Sequence, residues 1–166
     1  MNTAPSTFVY VTYIRTTPEK LWEALTQPEF TRAYFFGCTI ETEWTTGATW
    51  KLVDPEGEIK DGGEILEIEP PRRLVLKWRN AFKPELMAEG DSRLTYELEP
   101  EDGLVKFTVL HEMDKPESKV IRAVSNGWPM ILSSLKTLLE TGAALDGSAP
   151  CGASGSLKSK LENKDH

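Results

Sequence analysis

The sequence predicts an α+β fold: a curved antiparallel sheet of about six to seven strands around one long C-terminal helix, with two short helices after the first strand. Three observations lead there. From residue 38 to residue 113, apolar and polar side chains alternate in short runs broken by turn residues, the pattern of an antiparallel sheet covered on one face. Two proline-initiated helical patterns precede that region. Finally, "GWPMILSSLKTLLETG" (127 to 142) sets Trp128, Ile131, Leu132, Leu135, Leu138 and Leu139 on one helical stripe. A one-sided sheet must bury its apolar face, and this last helix is the only element long enough to lie across it.

The first run, "FVYVTYIR" (8 to 15), is β-branched and aromatic, hence a strand. In "TTPEKLWEAL", Thr17 is an N-cap, Pro18 opens the helix, and Leu21, Trp22 and Leu25 share a face. "PEFTRAYFFG" forms the second short helix from Pro28 to a stop at Gly37, with Phe30, Tyr34 and Phe35 on one side. Six strands follow: "CTIETEW", "ATWKLV", "EIKDGGEILEIE", "LVLKWR", "SRLTYELEP" and "LVKFTVLHEM". "DPEG" (54 to 57) has type I turn chemistry, and "NAFKPELMAEGD" (80 to 91) is a longer loop. The closing helix begins near Pro116 and contains Pro129, so it either restarts at Asn126–Gly127 or kinks there; Gly142 stops it.

Residues 1–142 therefore form one domain. Residues 143–166 are rich in Gly, Ser and Ala with almost no apolar content, and are expected to be a disordered tail. That tail carries three lysines and three acids, so the whole net charge of −7 falls on the domain, which argues against nucleic-acid binding. No apolar run reaches the roughly 20 residues of a membrane span. The first 20 residues lack a basic-then-apolar leader, so a cytoplasmic protein without membrane attachment is expected. The two cysteines, Cys38 and Cys151, do not make a disulfide scaffold or zinc knuckle, and Cys38 is expected to be a small buried hydrophobe. With only His111 and the C-terminal His166, no metal site is expected, and neither a G-x-S-x-G elbow nor a phosphate loop occurs. No cofactor and no catalytic residue are assigned.

Taken in series, "TTPEKLWEALTQPEFTRAYFFG", "GGEILEIEPPRRLVLKW", "SRLTYELEP", "LHE" and "GWPMILSSLKTLLETG" resemble the family named for the activator of the heat-shock chaperone ATPase. That family lies within the helix-grip superfamily of START and birch-pollen-allergen-like domains. The resemblance runs over residues 8 to 142 and implies a sheet gripping the last helix around an apolar cavity. Relatives in the superfamily include lipid and hormone carriers, polyketide cyclases and proteins that sequester reactive small molecules. Eukaryotic co-chaperones of the family carry an additional N-terminal domain that supplies much of the chaperone contact. It is not seen in these 166 residues, so a chaperone contact is doubtful. The family often has Trp-Phe where this chain has Tyr34-Phe35, which adds a hydroxyl to the cavity wall.

In such an arrangement the second short helix, the middle of the sheet and the bend of the last helix meet around one opening. The expected ligand wall is Phe30, Tyr34, Trp50, Trp78, Tyr96, His111, Trp128 and Leu132. Its guest would be a small hydrophobic molecule in a space of roughly 300–1,000 Å³. Two readings stay open for His111: a polar point or general base facing the ligand, or a histidine satisfied by backbone or water. Two other functions stay open as well. One is a cyclase or hydrolase using the same pocket, with His111 or Tyr34 in acid–base roles. The other is an interaction module, including a homodimer through outward-facing Val75 and Leu110.

Overall fold

In the computed structural model, residues 4–145 are described. The expected tail therefore lies outside the described residues from residue 146 onward. Strand β1 (Ser6–Ile14) leads into helix α1 (Pro18–Thr26), whose N-cap Thr17 accepts the Lys20 N–H at 3.2 Å, with Pro18 in the first turn. Helix α2 (Pro28–Tyr34) follows after one residue. Six strands then run back and forth: β2 (Thr39–Glu41), β3 (Thr49–Val53), β4 (Ile59–Glu69), β5 (Arg73–Asn80), β6 (Ser92–Glu101) and β7 (Leu104–Met113). All pair antiparallel in one sheet of order β1-β7-β6-β5-β4-β3-β2, so the first strand lies against the last. The Asp54 carboxylate ties the β3–β4 turn by accepting the N–H groups of Glu56 (3.0 Å) and Glu58 (2.9 Å).

Two elements differ in detail from the expectation. Residues 80 to 91 contain a one-turn helix, α3 (Pro84–Met87), opened by the proline that suggested a loop. Helix α4 (Lys119–Thr141) is continuous, with Pro129 inside it, so the restart alternative is not the one adopted. It begins at Lys119 rather than near Pro116. Ser118 is the N-cap, its Oγ accepting the Ile121 N–H at 3.2 Å, and Gly142 closes the helix in the left-handed conformation at φ 87°. No described helix is long and apolar enough to cross a membrane.

The alternation in each strand sets the inner face of the sheet: Trp50 and Leu52, Ile65, Leu74 to Trp78 in alternate places, Leu94 to Leu98 likewise, and Val105 to Met113. Against it lie Val120, Ile121, Val124, Trp128, Ile131, Leu132 and Leu135 of α4, all buried, with α1 and α2 closing one end. Leu138 and Leu139 pack at the margin. At about 25 cal/mol per Å² of apolar surface, this single contiguous core drives the fold. Cys38 is fully buried, as expected.

Candidate functional site

Trp128 sits at the centre of a ring cluster drawn from α4, the end of α2 and four strands of the sheet. From α4 its indole meets Trp78 at 5.8 Å, Tyr96 and His111 at 6.2 Å, and Phe35 at 6.3 Å. The cluster continues outward, Trp78 to Trp50 at 4.7 Å and Phe35 to Tyr34 at 5.8 Å. Tilted and edge contacts of this kind are the favoured aromatic geometries.

A glycine makes the Trp50–Trp78 contact. Trp50 on β3 and Trp78 on β5 both stand opposite Gly63 on β4. Without a side chain between them the rings meet, and the Trp50 indole N–H donates to the Lys77 carbonyl at 2.9 Å. A Cβ on Gly63 would lie 1.9 Å from that carbonyl oxygen, so only glycine fits.

His111 is fully buried with both ring nitrogens engaged. The Trp128 indole N–H, a donor only, reaches Nδ1 at 3.1 Å. Nδ1 is therefore the acceptor, and Nε2 carries the proton and donates to Ser92 Oγ at 2.7 Å. The Ser92 hydroxyl donates in turn to the Trp78 carbonyl at 3.3 Å. Burial drops the imidazole pKa to about 3, so His111 is neutral. The relay Trp128–His111–Ser92–Trp78 locks the helix indole to the sheet.

The phenols behave differently. Tyr34 on α2 is buried, and its Oη has no hydrogen-bond partner. Burial holds its pKa well above the usual tyrosine range. Tyr96 on β6 is shifted upward as well, first by burial and then by Tyr34. Farther along the sheet, Asp61 is also buried. Its Oδ1 accepts from Asn80 Nδ2 at 3.2 Å, while Oδ2 is unpartnered. Burial lifts its pKa to about 7 against the pull of the Trp78 indole and Asn80.

Of the eight residues expected to form a ligand wall, Tyr34, Trp50, Trp78, Tyr96, His111, Trp128 and Leu132 are buried between sheet and α4. Phe30 is partly buried and packs at the edge of the core. Ser92 and Gly63 belong to this cluster without being expected there, and Phe35, expected on the face of Tyr34 but not in the ligand wall, joins it too. Ser92 was in reach, since it shares the inward phase of Leu94 and Tyr96. The rings meet one another between sheet and helix. Concavities of about 510, 480 and 280 Å³ lie at the periphery, and none of these three is lined by the eight residues. The outward Val75, expected in a dimer patch, is fully covered; it stands opposite Glu67, where the β4–β5 register shifts. Leu110 is half-buried.

The family model described as Activator of Hsp90 ATPase homolog 1-like protein matches residues 15–140. No curated protein matches the chain in sequence. Among solved structures, a Mesorhizobium loti protein is similar at 25% identity and a TM-score of 0.69, over 81% of this chain and 96% of that one. A Plasmodium falciparum protein described as an HSP90 activator is 23% identical with a TM-score of 0.66, over 80% of this chain and 95% of its own. A Colwellia psychrerythraea protein described as an Aha1 dimer is 18% identical with a TM-score of 0.67, over 82% and 98%. The last two show the helix-grip fold.

Proposed function

We propose, for a chain that belongs to the Activator of Hsp90 ATPase homolog 1-like family, that the space between the sheet and α4 receives a small hydrophobic molecule bearing one hydrogen-bonding group. One observation carries the reading: Tyr34 Oη is buried at the aromatic cluster without a partner. An orphaned buried hydroxyl costs about 1–3 kcal/mol, and such groups call for an explanation. A guest that pairs with Tyr34 supplies one. The ring faces supply apolar contact, worth about 25 cal/mol per Å² covered. Room would come from the helix side. Helices α2 and α4 hold their part of the wall by side-chain packing, whereas the sheet is held by ladder hydrogen bonds.

An acid–base role for His111 would need a free ring nitrogen, and both are taken. Tyr34, with its pKa raised by burial, suits donation to a ligand better than service as a phenolate base. Binding is thus favoured over turnover.

The test is a titration of purified protein with hydrophobic dyes and with steroid-like and polyketide-like compounds, followed by tryptophan fluorescence. Trp50, Trp78 and Trp128 all sit in the cluster, so occupancy should change emission. Trp128→Ala should weaken every ligand. Tyr34→Phe should weaken only ligands with a polar group, by about tenfold, equivalent to 1.4 kcal/mol. The same change should raise thermal stability, since it removes the orphan. A chain that binds none of these compounds, or a Tyr34→Phe variant that is less stable and binds polar ligands unchanged, would overturn the reading.

A second copy of the chain is a further partner this protein suits. The favouring observation is an uncharged, exposed strand face on β1, and the Colwellia relative is described as a dimer.

A further inference from the structure

We infer that the open edge of β1 is the docking site for that second copy, in an antiparallel two-fold register centred on Val9. This deepens the homodimer reading and does not depend on the ligand.

Among the described residues, strand β1 has β7 on one side and no strand on the other. Exposed strand edges are normally guarded by charge, proline or a bulge. "STFVYVTYI" has no charged residue and no proline, and its nine pairs with β7 run without a register shift. Its outward side chains include three large exposed apolar residues, Val9 at 57%, Val11 at 46% and Tyr13 at 44%. In a domain carrying net charge −7, two copies repel across most surfaces. This uncharged strand is a face on which they can meet.

The hydrogen-bond parity of the edge is readable. Lys136 Nζ donates to the Tyr13 carbonyl at 2.8 Å, and the Arg15 N–H donates to Glu140 at 2.9 Å, both from the side away from β7. The Ser6 N–H turns the other way, to the Lys115 carbonyl just beyond β7. In a strand both backbone groups of one residue point to the same side, so Thr7, Val9, Val11 and Tyr13 face the open edge. The helix α4 side chains cap that edge at Tyr13 and Arg15, leaving Thr7, Val9 and Val11 as the accessible stretch.

Only some two-fold registers fit. Centred on Tyr10, Thr7 would meet Tyr13 of the partner subunit, whose carbonyl Lys136 already occupies. Centred on Val9, Thr7 meets Val11 of the partner subunit and Val9 meets its own counterpart. That arrangement offers about six backbone hydrogen bonds, two for each facing pair. On the outer face it joins the valines. On the inner face it sets Phe8 opposite Tyr10 of the partner subunit, twice over. Phe8 and Tyr10 are partly buried and stack at 6.3 Å, so the second copy extends an existing aromatic pair.

Sedimentation velocity on the full chain, over rising concentration, tests this. The wild type should reach the dimer, and added salt should tighten it by screening the net charge. Val9→Pro removes an N–H that points to the open edge, so the pairing with β7 should survive while self-association weakens roughly tenfold or more. Val9→Lys guards against a folding defect in the proline variant and should have the same effect with unchanged circular dichroism. Under mild oxidation Val9→Cys should crosslink two copies, whereas Ile59→Cys, at a comparably exposed site on β4, should not. A folded Val9→Lys variant that still dimerises, or no crosslink through Val9→Cys, overturns this surface but leaves a homodimer. A monomeric wild type overturns both, including the case in which the edge serves a different chain.

Discussion

An unfolded chain protonates its histidine near pH 6.5, whereas His111 in the fold stays neutral to about pH 3. Between those values the unfolded state holds more protons, so this residue lowers stability as pH falls, by at most about 1.4 kcal/mol per pH unit. Asp61 works in the opposite sense. Its folded pKa of about 7 lies above its unfolded value of 3.8, so the fold holds the extra proton and stability falls as pH rises through that interval. Between about pH 4 and 6.5 the two slopes oppose each other. We expect Asp61→Asn to stabilise the protein near neutrality by roughly 1–3 kcal/mol, with the gain fading toward pH 4. We expect His111→Gln to flatten the acid limb even if it lowers stability overall. Urea denaturation across pH 4 to 8 separates these effects. An Asp61→Asn gain independent of pH would contradict the assignment. The inward phase of His111 was legible from the alternation of "LVKFTVLHEM". Its partners were not, since Ser92 and Trp128 lie 19 and 17 positions away and only folding sets them beside it.

Among the elements, β4 holds the most demanding position. Gly63 separates two tryptophan-bearing strands, and an alanine there would place its Cβ against the Lys77 carbonyl, a backbone atom that cannot swing aside. We expect Gly63→Ala to cost about 3 kcal/mol or more and to change the near-ultraviolet circular dichroism, because it parts the Trp50 and Trp78 rings. A wild-type spectrum and melting temperature would refute this. Strand identities were legible because each shows a period of two over several residues. The one-turn α3 was not, being too short to show a helical period, and the proline that opens it is equally good loop chemistry. Pro129 posed a similar ambiguity. A proline inside a helix forfeits one hydrogen bond, and only the burial of Trp128, Ile131 and Leu132 on one face shows that packing outweighs the loss.

For the molecule as a whole, the position of α4 across the sheet depends on a distant carboxylate. Glu89, in the loop before β6, accepts the Ser118 hydroxyl at 2.7 Å and the N–H groups of Lys119 at 2.9 Å and Val120 at 3.1 Å. Lys115 stands 3.3 Å away. Burial alone would raise its pKa, but these donors outweigh it and hold the pKa at about 2. Its stabilising effect is therefore full above about pH 4.5 and is lost as pH falls through 2. Glu89→Gln should cost about 1–2 kcal/mol at pH 7 and progressively less below pH 4.5, in denaturant melts. Equal losses at both pH values would exclude a charge-based role. The sequence shows the sheet-and-helix plan because amphipathic periods report which faces are buried. It does not show this strap, since a carboxylate 29 residues before a helix carries no local signature.

The pairing of β1 with β7, Ser6 opposite Met113, also governs how the chain is made. Synthesis delivers the first strand long before its neighbour, and contacts between such remote segments form slowly. Until then a bare, uncharged ribbon waits in the crowded vicinity of the ribosome. Mutations that delay the seventh strand should therefore show themselves as aggregation during expression before they show as a lower melting point.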